Sequence, residues 1–194
     1  MMRELVFFLE EESAKVLLEH LFPLLIPEGS RIQARFIVFE GKQDLDKQLP
    51  RKMRGYLNPY ARFIVMRDQD SGDCKKIKKS LTALCGADHR PRTKVRIACR
   101  ELESFYLGDL RAVESGLGIR GLAARQNKAK FRDPDLLAAP ARELEKLTGN
   151  RYQKFAGSRA IAPHLVLEAP RSRSFRHLLQ AIRTASQKLH AIGD

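Results

Sequence analysis

Residues 62–84 read RFIVMRDQDSGDCKKIKKSLTAL, and this stretch predicts the fold class. The apolar run at 62–66 is typical of a central strand in a parallel sheet, because such a strand is buried on both faces. Residues 73–84 predict a helix with lysines along its solvent side and Asp73 near its N-terminus. A buried strand that leads directly into a helix predicts an α/β fold.

The same alternation of strand and helix patterns extends along the first half of the chain. Three further strands are predicted at residues 5–9, 32–39 and 94–99. Three further helices are predicted at residues 14–22, 44–56 and 104–113. Ser13 is a candidate N-cap for the first helix, and Pro50 is expected to break or kink the second. Crossovers of this kind predict a mostly parallel sheet flanked by helices.

The pattern changes after Gly116. Residues 117–173 contain helix patterns between turns, the clearest at 135–147, and no strong strand pattern. An amphipathic helix is predicted at 174–191, with Ser174 as its candidate cap. We therefore predict an α/β core at residues 1–116 and a helical C-terminal extension at residues 117–194, packed on the core as one compact unit.

The net charge of the 194 residues is +13, with a pI near 10.0. A basic surplus of this size attracts polyanions, which favours DNA or RNA as a partner. The alternative is a basic surface that only keeps the protein soluble. The basic residues concentrate at 75–79, 90–100, 120–132 and 171–183.

Several classes of protein are disfavoured by the sequence. The longest apolar runs, at 5–9 and 21–26, are too short to span a membrane. The N-terminus lacks the pattern of a signal peptide. Cys74, Cys85 and Cys99 have no zinc-site spacing, and their odd number argues against a disulfide framework. We therefore expect a cytoplasmic protein.

Acidic residues follow three of the four predicted strands, where a parallel sheet places its functional crevice. The acids in question are Glu10 and Glu11 after the first strand, Asp68 and Asp70 after the third, and Glu101 and Glu103 after the fourth. Carboxylates held close together repel each other unless a cation lies between them. Oxygen ligands without His or Cys suit Mg²⁺ or Mn²⁺, so we expect one of these ions here.

Each acidic motif also has a simpler structural explanation. Aspartates after a strand often cap the next helix, and we assign Asp73 to that role. Glu103 either approaches the metal site or supplies negative charge to the N-terminus of the helix that follows. Asp68 and Asp70 are separated by one residue, which lets both reach a single ion.

Basic residues near the same predicted edge can meet a phosphate. Lys42 follows Gly41 beyond the second strand, and Lys154 follows Tyr152. Further candidates for contacts with a nucleic-acid backbone are Arg132, Arg171 and Arg173. The alternative for each is an ordinary solvated side chain.

The acids after the first and third strands resemble the signature of the Toprim superfamily, which has a glutamate after the first strand and an Asp-x-Asp motif after a later one. The similarity is closer still to an uncharacterised bacterial family of Toprim-like proteins with a domain of unknown function. The segments that resemble this family are LEEES at 9–13, GK at 41–42, RDQDSGDC at 67–74, RIACRELESFYLGDL at 96–110, KFRDPDL at 130–136, YQK at 152–154 and RSRSF at 171–175. That family is related to OLD-family and RloB-like nucleases. The resemblance implies a Toprim-like sheet and assigns the signature positions to Glu10, Asp68 and Asp70.

One motif departs from the nuclease pattern. Nuclease-type Toprim domains often carry Glu-Gly-x-Thr-Glu after the first strand, whereas this chain has Glu-Glu-Glu-Ser-Ala at 10–14. Glu11 stands in place of the glycine, and Ala14 in place of the second acid. Either Glu11 substitutes as a ligand or the protein uses a single ion, with Glu103 as a candidate ligand of a second.

These features predict an enzyme, a Mg²⁺- or Mn²⁺-dependent nuclease. Glu10 would act as ligand or general base, Asp68 and Asp70 as ligands, and Lys42 or Lys154 would offset charge in the transition state. The resemblance adds an expected role in phage or plasmid defence. The alternative is a non-catalytic nucleic-acid-binding or sensing subunit that works with a companion ATPase, and a weaker one is phosphoryl transfer to a small nucleotide. The oligomeric state stays open, a dimer included.

Overall fold

The computed structural model describes residues 2–192. Its centre is a four-stranded, fully parallel sheet in the order β2-β1-β3-β4. The strands are β1 (Arg3–Leu9), β2 (Ile32–Val38), β3 (Ala61–Asp68) and β4 (Thr93–Ala98). The predicted α/β class and parallel sheet are confirmed.

Helices cover both faces of the sheet and form the rest of the chain. They are α1 (Glu12–Leu25), α2 (Lys42–Arg54), α3 (Cys74–Leu84), α4 (Gly86–His89), α5 (Glu103–Leu107), α6 (Leu110–Leu117), α7 (Ala129–Arg132), α8 (Pro140–Leu147), α9 (Lys154–Ile161) and α10 (Arg173–His190). Short 3₁₀ turns lie at Arg90–Arg92, Ala123–Arg125, Pro134–Leu136 and Ala162–His164. The helical character of the C-terminal segment is confirmed.

The central strands are apolar throughout because both of their faces are buried. Along β1, alternate residues point to opposite sides, as the pleat of a strand requires. Phe7 and its neighbours on one face pack with α1 and α10, and Phe8 on the other face packs with the helices α2 and α3. The helix α9 packs against α1, which brings Lys154 towards the end of β1.

Several predicted helix boundaries are wrong. The helix predicted at 44–56 is α2, but it ends at Arg54, and Pro50 does not break it because Leu49 and Met53 bury its inner face. The helix predicted at 104–113 is two helices, α5 and α6, since Asp109 leaves the helical conformation and caps the second. The helix predicted at 135–147 is confined to α8, which Pro140 starts.

The predicted serine caps are also wrong. Ser13 lies inside the first turn of α1, where its hydroxyl donates to the carboxylate of Glu11. The cap of α10 is Ser172, whose Oγ accepts from the N–H of Phe175 at 3.0 Å. Ser172 has extended backbone, as a cap requires, whereas Ser174 already belongs to the helix. Within residues 2–192, none of the helices has the length and apolarity to cross a membrane.

Candidate functional site

The site lies where β1 and β3 end side by side. Leu9 pairs with Met66, so Glu10, directly after β1, and Asp68, the last residue of β3, emerge at the same edge. The N–H of Glu10 donates to the carbonyl of Met66 at 3.3 Å. In return, the carboxylate of Glu10 accepts from the N–H of Asp68 at 2.9 Å. Parallel strand order thus brings together two acids that are 58 residues apart.

Asp68 is the more deeply buried of these two acids, with 8% of its surface exposed. Burial raises its pKa well above its usual range, and the negative charges of Glu11, Glu103 and Glu10 add to the shift. Burial also raises the pKa of Glu10, against the hydrogen bond from Asp68. The edge therefore holds a group of like charges in poor contact with water.

Glu103, the first residue of α5, is wholly buried. Its Oε1 accepts a hydrogen bond from the Tyr152 hydroxyl at 2.9 Å, and its Oε2 has no hydrogen-bond partner within the described chain. Burial raises the pKa of Glu103, and the charge of Lys154 opposes that rise. A buried carboxylate oxygen without a partner is costly, so it needs an explanation.

Lys154 begins α9 and supplies positive charge to this group. Its Nζ donates to Oε2 of Glu11 at 3.1 Å, while the other oxygen of Glu11 accepts from Ser13. Burial opposes the charged form of Lys154, but the charges of Glu103 and Glu11 outweigh it and raise the pKa of this lysine. The ammonium is therefore held in its protonated form.

A second lysine pairs with the outermost acid. Nζ of Lys42 lies 2.8 Å from Oδ2 of Asp70, and this hydrogen bond raises the pKa of Lys42. Lys42 starts α2 directly after Gly41, whose φ of +89° favours glycine. Asp70 also has a positive φ of 53°, and its N–H donates to the carbonyl of Arg100 at 2.7 Å. These backbone conformations place Lys42 and Asp70 at the rim of the site.

The carboxylates at this edge are called the acidic cluster below. Its members are Glu10, Glu11, Asp68, Asp70 and Glu103. Two ammonium groups, those of Lys42 and Lys154, form ion pairs with it. With every acid ionised, negative charge exceeds the charge of these two lysines.

The model of one family, described as a domain of unknown function (DUF4276), matches residues 9–183. The chain belongs to the DUF4276 family. The matched range includes every member of the acidic cluster and both of its lysines. No curated protein and no solved structure matches the chain.

The DUF4276 site has the donor chemistry of a divalent-cation site but not its spacing. Its donors are all carboxylate oxygens, which suit Mg²⁺ or Mn²⁺. Yet among residues 2–192, no three His, Cys, Asp or Glu side chains are placed to hold one metal ion. Two of the acids instead hold lysine ammonium groups. A metal ion would fit this cluster only after side chains rotate.

Other acids of the DUF4276 chain serve its fold. Glu101 accepts from the N–H of Ala141 at 2.7 Å and so supports the start of α8. Asp73 caps α3, as predicted, by accepting from the N–H groups of Lys75 and Lys76. Asp109 caps α6.

The three arginines predicted to meet nucleic acid bind elsewhere in the chain. Arg132 and Arg171 both donate to Asn127, and Arg173 forms an ion pair with Asp133 at 3.1 Å. Within residues 2–192, none of the three hydrogen-bonds to the acidic cluster of this DUF4276 chain. Tyr152, in contrast, contacts the cluster although it was not predicted as a site residue; its place in the resembling segment at 152–154 was the one available signal.

Proposed function

We propose that this DUF4276 chain binds Mg²⁺ or Mn²⁺ at the acidic cluster and cleaves phosphodiester bonds of DNA or RNA. The surroundings of Asp68 are the observation that carries the proposal. This carboxylate is 8% exposed and has Glu10, Glu11 and Glu103 as charged neighbours. A divalent cation among them would relieve repulsion that two lysines leave uncompensated.

The roles of the residues follow from their places in the cluster. Glu10 and Asp68 come from adjacent strands and would hold the ion, with Asp70, Glu11 and Glu103 as further ligands. The ion, when bound, supplies polarisation of a phosphate oxygen. Lys42 and Lys154 lie against the cluster, where their charge can offset that of a phosphate. Kinship with Toprim nucleases is part of this proposal, supported by Glu10 following β1 and Asp68 ending β3.

Calorimetric titration of Mn²⁺ into the full chain tests the metal site. We expect Mn²⁺ to bind the native protein and Asp68→Asn to lower its affinity at least about tenfold. Mutation of a residue that only orients a metal ligand already lowers affinity by this factor. Glu101→Gln is the matched control, because Glu101 lies outside the cluster and glutamine keeps an acceptor for Ala141. A native protein that binds neither Mn²⁺ nor Mg²⁺ would contradict the proposal.

Cleavage of labelled DNA and RNA with Mn²⁺ tests the chemistry. We expect cleavage by the native chain and by Glu101→Gln, and none by Asp68→Asn or Glu10→Gln. Circular dichroism establishes that each variant is folded. Metal binding without cleavage of either nucleic acid would overturn the catalytic part of the proposal.

A nucleic-acid-binding subunit without turnover is the second candidate. It is favoured by the spacing of the acids, since among residues 2–192 no three are placed around one ion. This candidate requires nucleic-acid binding that is unchanged in Asp68→Asn. Co-purification of an ATPase with the tagged chain would extend it to the companion complex.

A further inference from the structure

The outer side of β4 forms a groove. Among residues 2–192, this strand is an edge of the sheet and pairs with β3 on one side. The helix α3 packs beside it on one face and α10 on the other. Between them lies a recess of about 660 Å³, whose basic lining comprises Lys75, Lys78, Arg96, Arg100, Arg173 and His177. We call this recess the β4 groove.

Two further recesses continue the β4 groove at its sides. Lys75 and Lys78 also line a recess that includes Arg90, and Arg173 also lines one that includes Arg176. The shared side chains join the three recesses into one basic band. Asp135 is the one carboxylate among the described residues of their lining, and it already accepts hydrogen bonds from Ser172 and Ser174.

Most of the positive charge of the band is not neutralised within the described chain, although Arg173 pairs with Asp133. In the described part of the chain, Lys75, Lys78, Lys79, Arg90 and Arg176 form no ion pair. The two lysines of the acidic cluster, in contrast, both pair with carboxylates. Clustered cations without counter-charges are the electrostatic signature of a polyanion-binding surface.

The β4 groove ends at the acidic cluster. Gln69 lines the groove and lies between Asp68 and Asp70 in the sequence. Its side chain accepts from the N–H of Arg100 at 3.2 Å. Arg100, another lining residue, donates through its guanidinium to the carbonyl of Asp70 at 3.3 Å. A chain molecule that follows the groove therefore arrives at the Asp-Gln-Asp turn.

We propose that the β4 groove binds single-stranded nucleic acid and leads its backbone to the acidic cluster. The first part of this proposal, strand binding in the groove, stands without the proposed function. The second part, delivery of the backbone to the acidic cluster for cleavage, rests on it. Apolar Ile97 and Leu136 line the groove among the cations, and Leu136 is 75% exposed. A single strand offers phosphates to the cations and open base faces to the arginine planes and the exposed apolar side chains. A duplex stacks its base faces inside and presents phosphates and groove edges.

Fluorescence anisotropy in EDTA tests the groove, with an end-labelled single-stranded DNA of about 20 nucleotides, long enough for one binding site. Lys75→Ala/Lys78→Ala removes two exposed charges from α3. Each phosphate contact on a single strand contributes about −0.7 to the logarithmic salt slope, so we expect the slope to shrink by about 1.4. If the affinities converge near 1 M salt, this variant binds roughly 25-fold more weakly near 0.1 M.

Lys47→Ala/Lys52→Ala is the matched control, because it removes two exposed lysines from α2 that do not line the band. We expect its affinity to stay within about twofold of native, as for any surface charge remote from the contact. Equal affinities of the native chain and Lys75→Ala/Lys78→Ala would overturn the proposal. So would a duplex bound as tightly as the single strand, or an acidic peptide of equal charge that displaces the strand equally well.

The experiment separates this proposal from the proposed function, since EDTA removes metal and prevents metal-dependent cleavage. Loss of strand binding in Lys75→Ala/Lys78→Ala supports the groove whether or not Mn²⁺ binds. Failure of Mn²⁺ to bind contradicts the metal site alone.

Discussion

The hydroxyl of Tyr152 donates a hydrogen bond of 2.9 Å to Oε1 of Glu103, and both side chains are buried. Its other oxygen, Oε2, has no hydrogen-bond partner in the described structure. The Tyr152 hydroxyl is therefore the side-chain donor that supports a carboxyl group removed from water. This pair forms the inner wall of the acidic cluster, beside Asp68.

We predict that Tyr152→Phe destabilises the protein. It removes the hydroxyl that donates to the buried Glu103, and for a buried carboxylate this costs more than the about 1–3 kcal/mol that a neutral buried group loses. Urea denaturation measures the free energy of unfolding. Tyr106→Phe is the control, because it removes a 2.8 Å hydrogen bond to the buried hydroxyl of Ser158, and we expect the about 1–3 kcal/mol loss of a neutral group. A smaller loss in Tyr152→Phe than in Tyr106→Phe would contradict the role given to this bond.

Asp68→Asn should stabilise the metal-free protein at pH 7. Asparagine keeps the size of the side chain but removes a buried charge that Glu11, Glu103 and Glu10 repel. Thermal unfolding in EDTA measures the effect, and each kcal/mol gained raises Tm by about 2–4 °C in a chain of this size. Glu101→Gln should leave Tm nearly unchanged. A lower Tm in Asp68→Asn would show that the charge is not repelled.

The free energy of unfolding of the native chain should fall as the pH rises and Asp68 ionises. Since the pKa of Asp68 is raised on folding, the folded state binds this proton more tightly than the unfolded state does. The stability that Asp68 contributes through this proton is fully present below the unfolded pKa of about 3.9. It is lost as the pH rises through the folded pKa. Urea denaturation in EDTA across this range should show that loss in the native chain and a smaller one in Asp68→Asn. Identical pH profiles of the native chain and Asp68→Asn would contradict a raised pKa of Asp68.

Lys154→Ala should destabilise the metal-free protein at neutral pH. It removes the ammonium that pairs with Glu11 and faces Glu103, so the acids lose a counter-charge. Because Lys154 is half exposed, water screens part of the effect, and we expect about 1–2 kcal/mol instead of the larger cost of breaking a buried pair. Lys130→Ala breaks a comparable surface pair with Glu143 and should cost under about 1 kcal/mol. Equal losses would place Lys154 among ordinary surface lysines.

Gly157→Ala should destabilise the protein by displacing Tyr152, which supports the acidic cluster. A Cβ at this position of α9 would overlap the ring of Tyr152, so the ring must move from Glu103. Overpacking of this kind costs about 1–3 kcal/mol and exceeds the gain in helix propensity. Gly55→Ala is the control, since a Cβ there meets no atom closer than 3.5 Å. Differential scanning calorimetry that finds Gly157→Ala as stable as Gly55→Ala would contradict the overlap.

The strands were predictable because their signal is local. The apolar runs of β1 and β3 require burial on both faces, and parallel order then places Glu10 and Asp68 at one edge. The boundaries of the helices were less predictable. Ser172 and Ser174 both precede the same apolar face, and only the extended backbone of Ser172 decides which one caps α10. Pro50 similarly shows that packing on the sheet can outweigh a local helix-breaking preference.

The sequence by itself determined the α/β class, the parallel sheet and the residues that end its strands, since these depend on runs of a few neighbouring side chains. Only the tertiary structure decided which groups meet around them. Tyr152 reaches Glu103 across 49 residues, and Lys154 reaches Glu11 across 143. Such pairs depend on how α9 packs against α1 and α6, and no local pattern specifies that packing. The same reason applies to the β4 groove, which exists only because α3 and α10 flank the edge of the sheet.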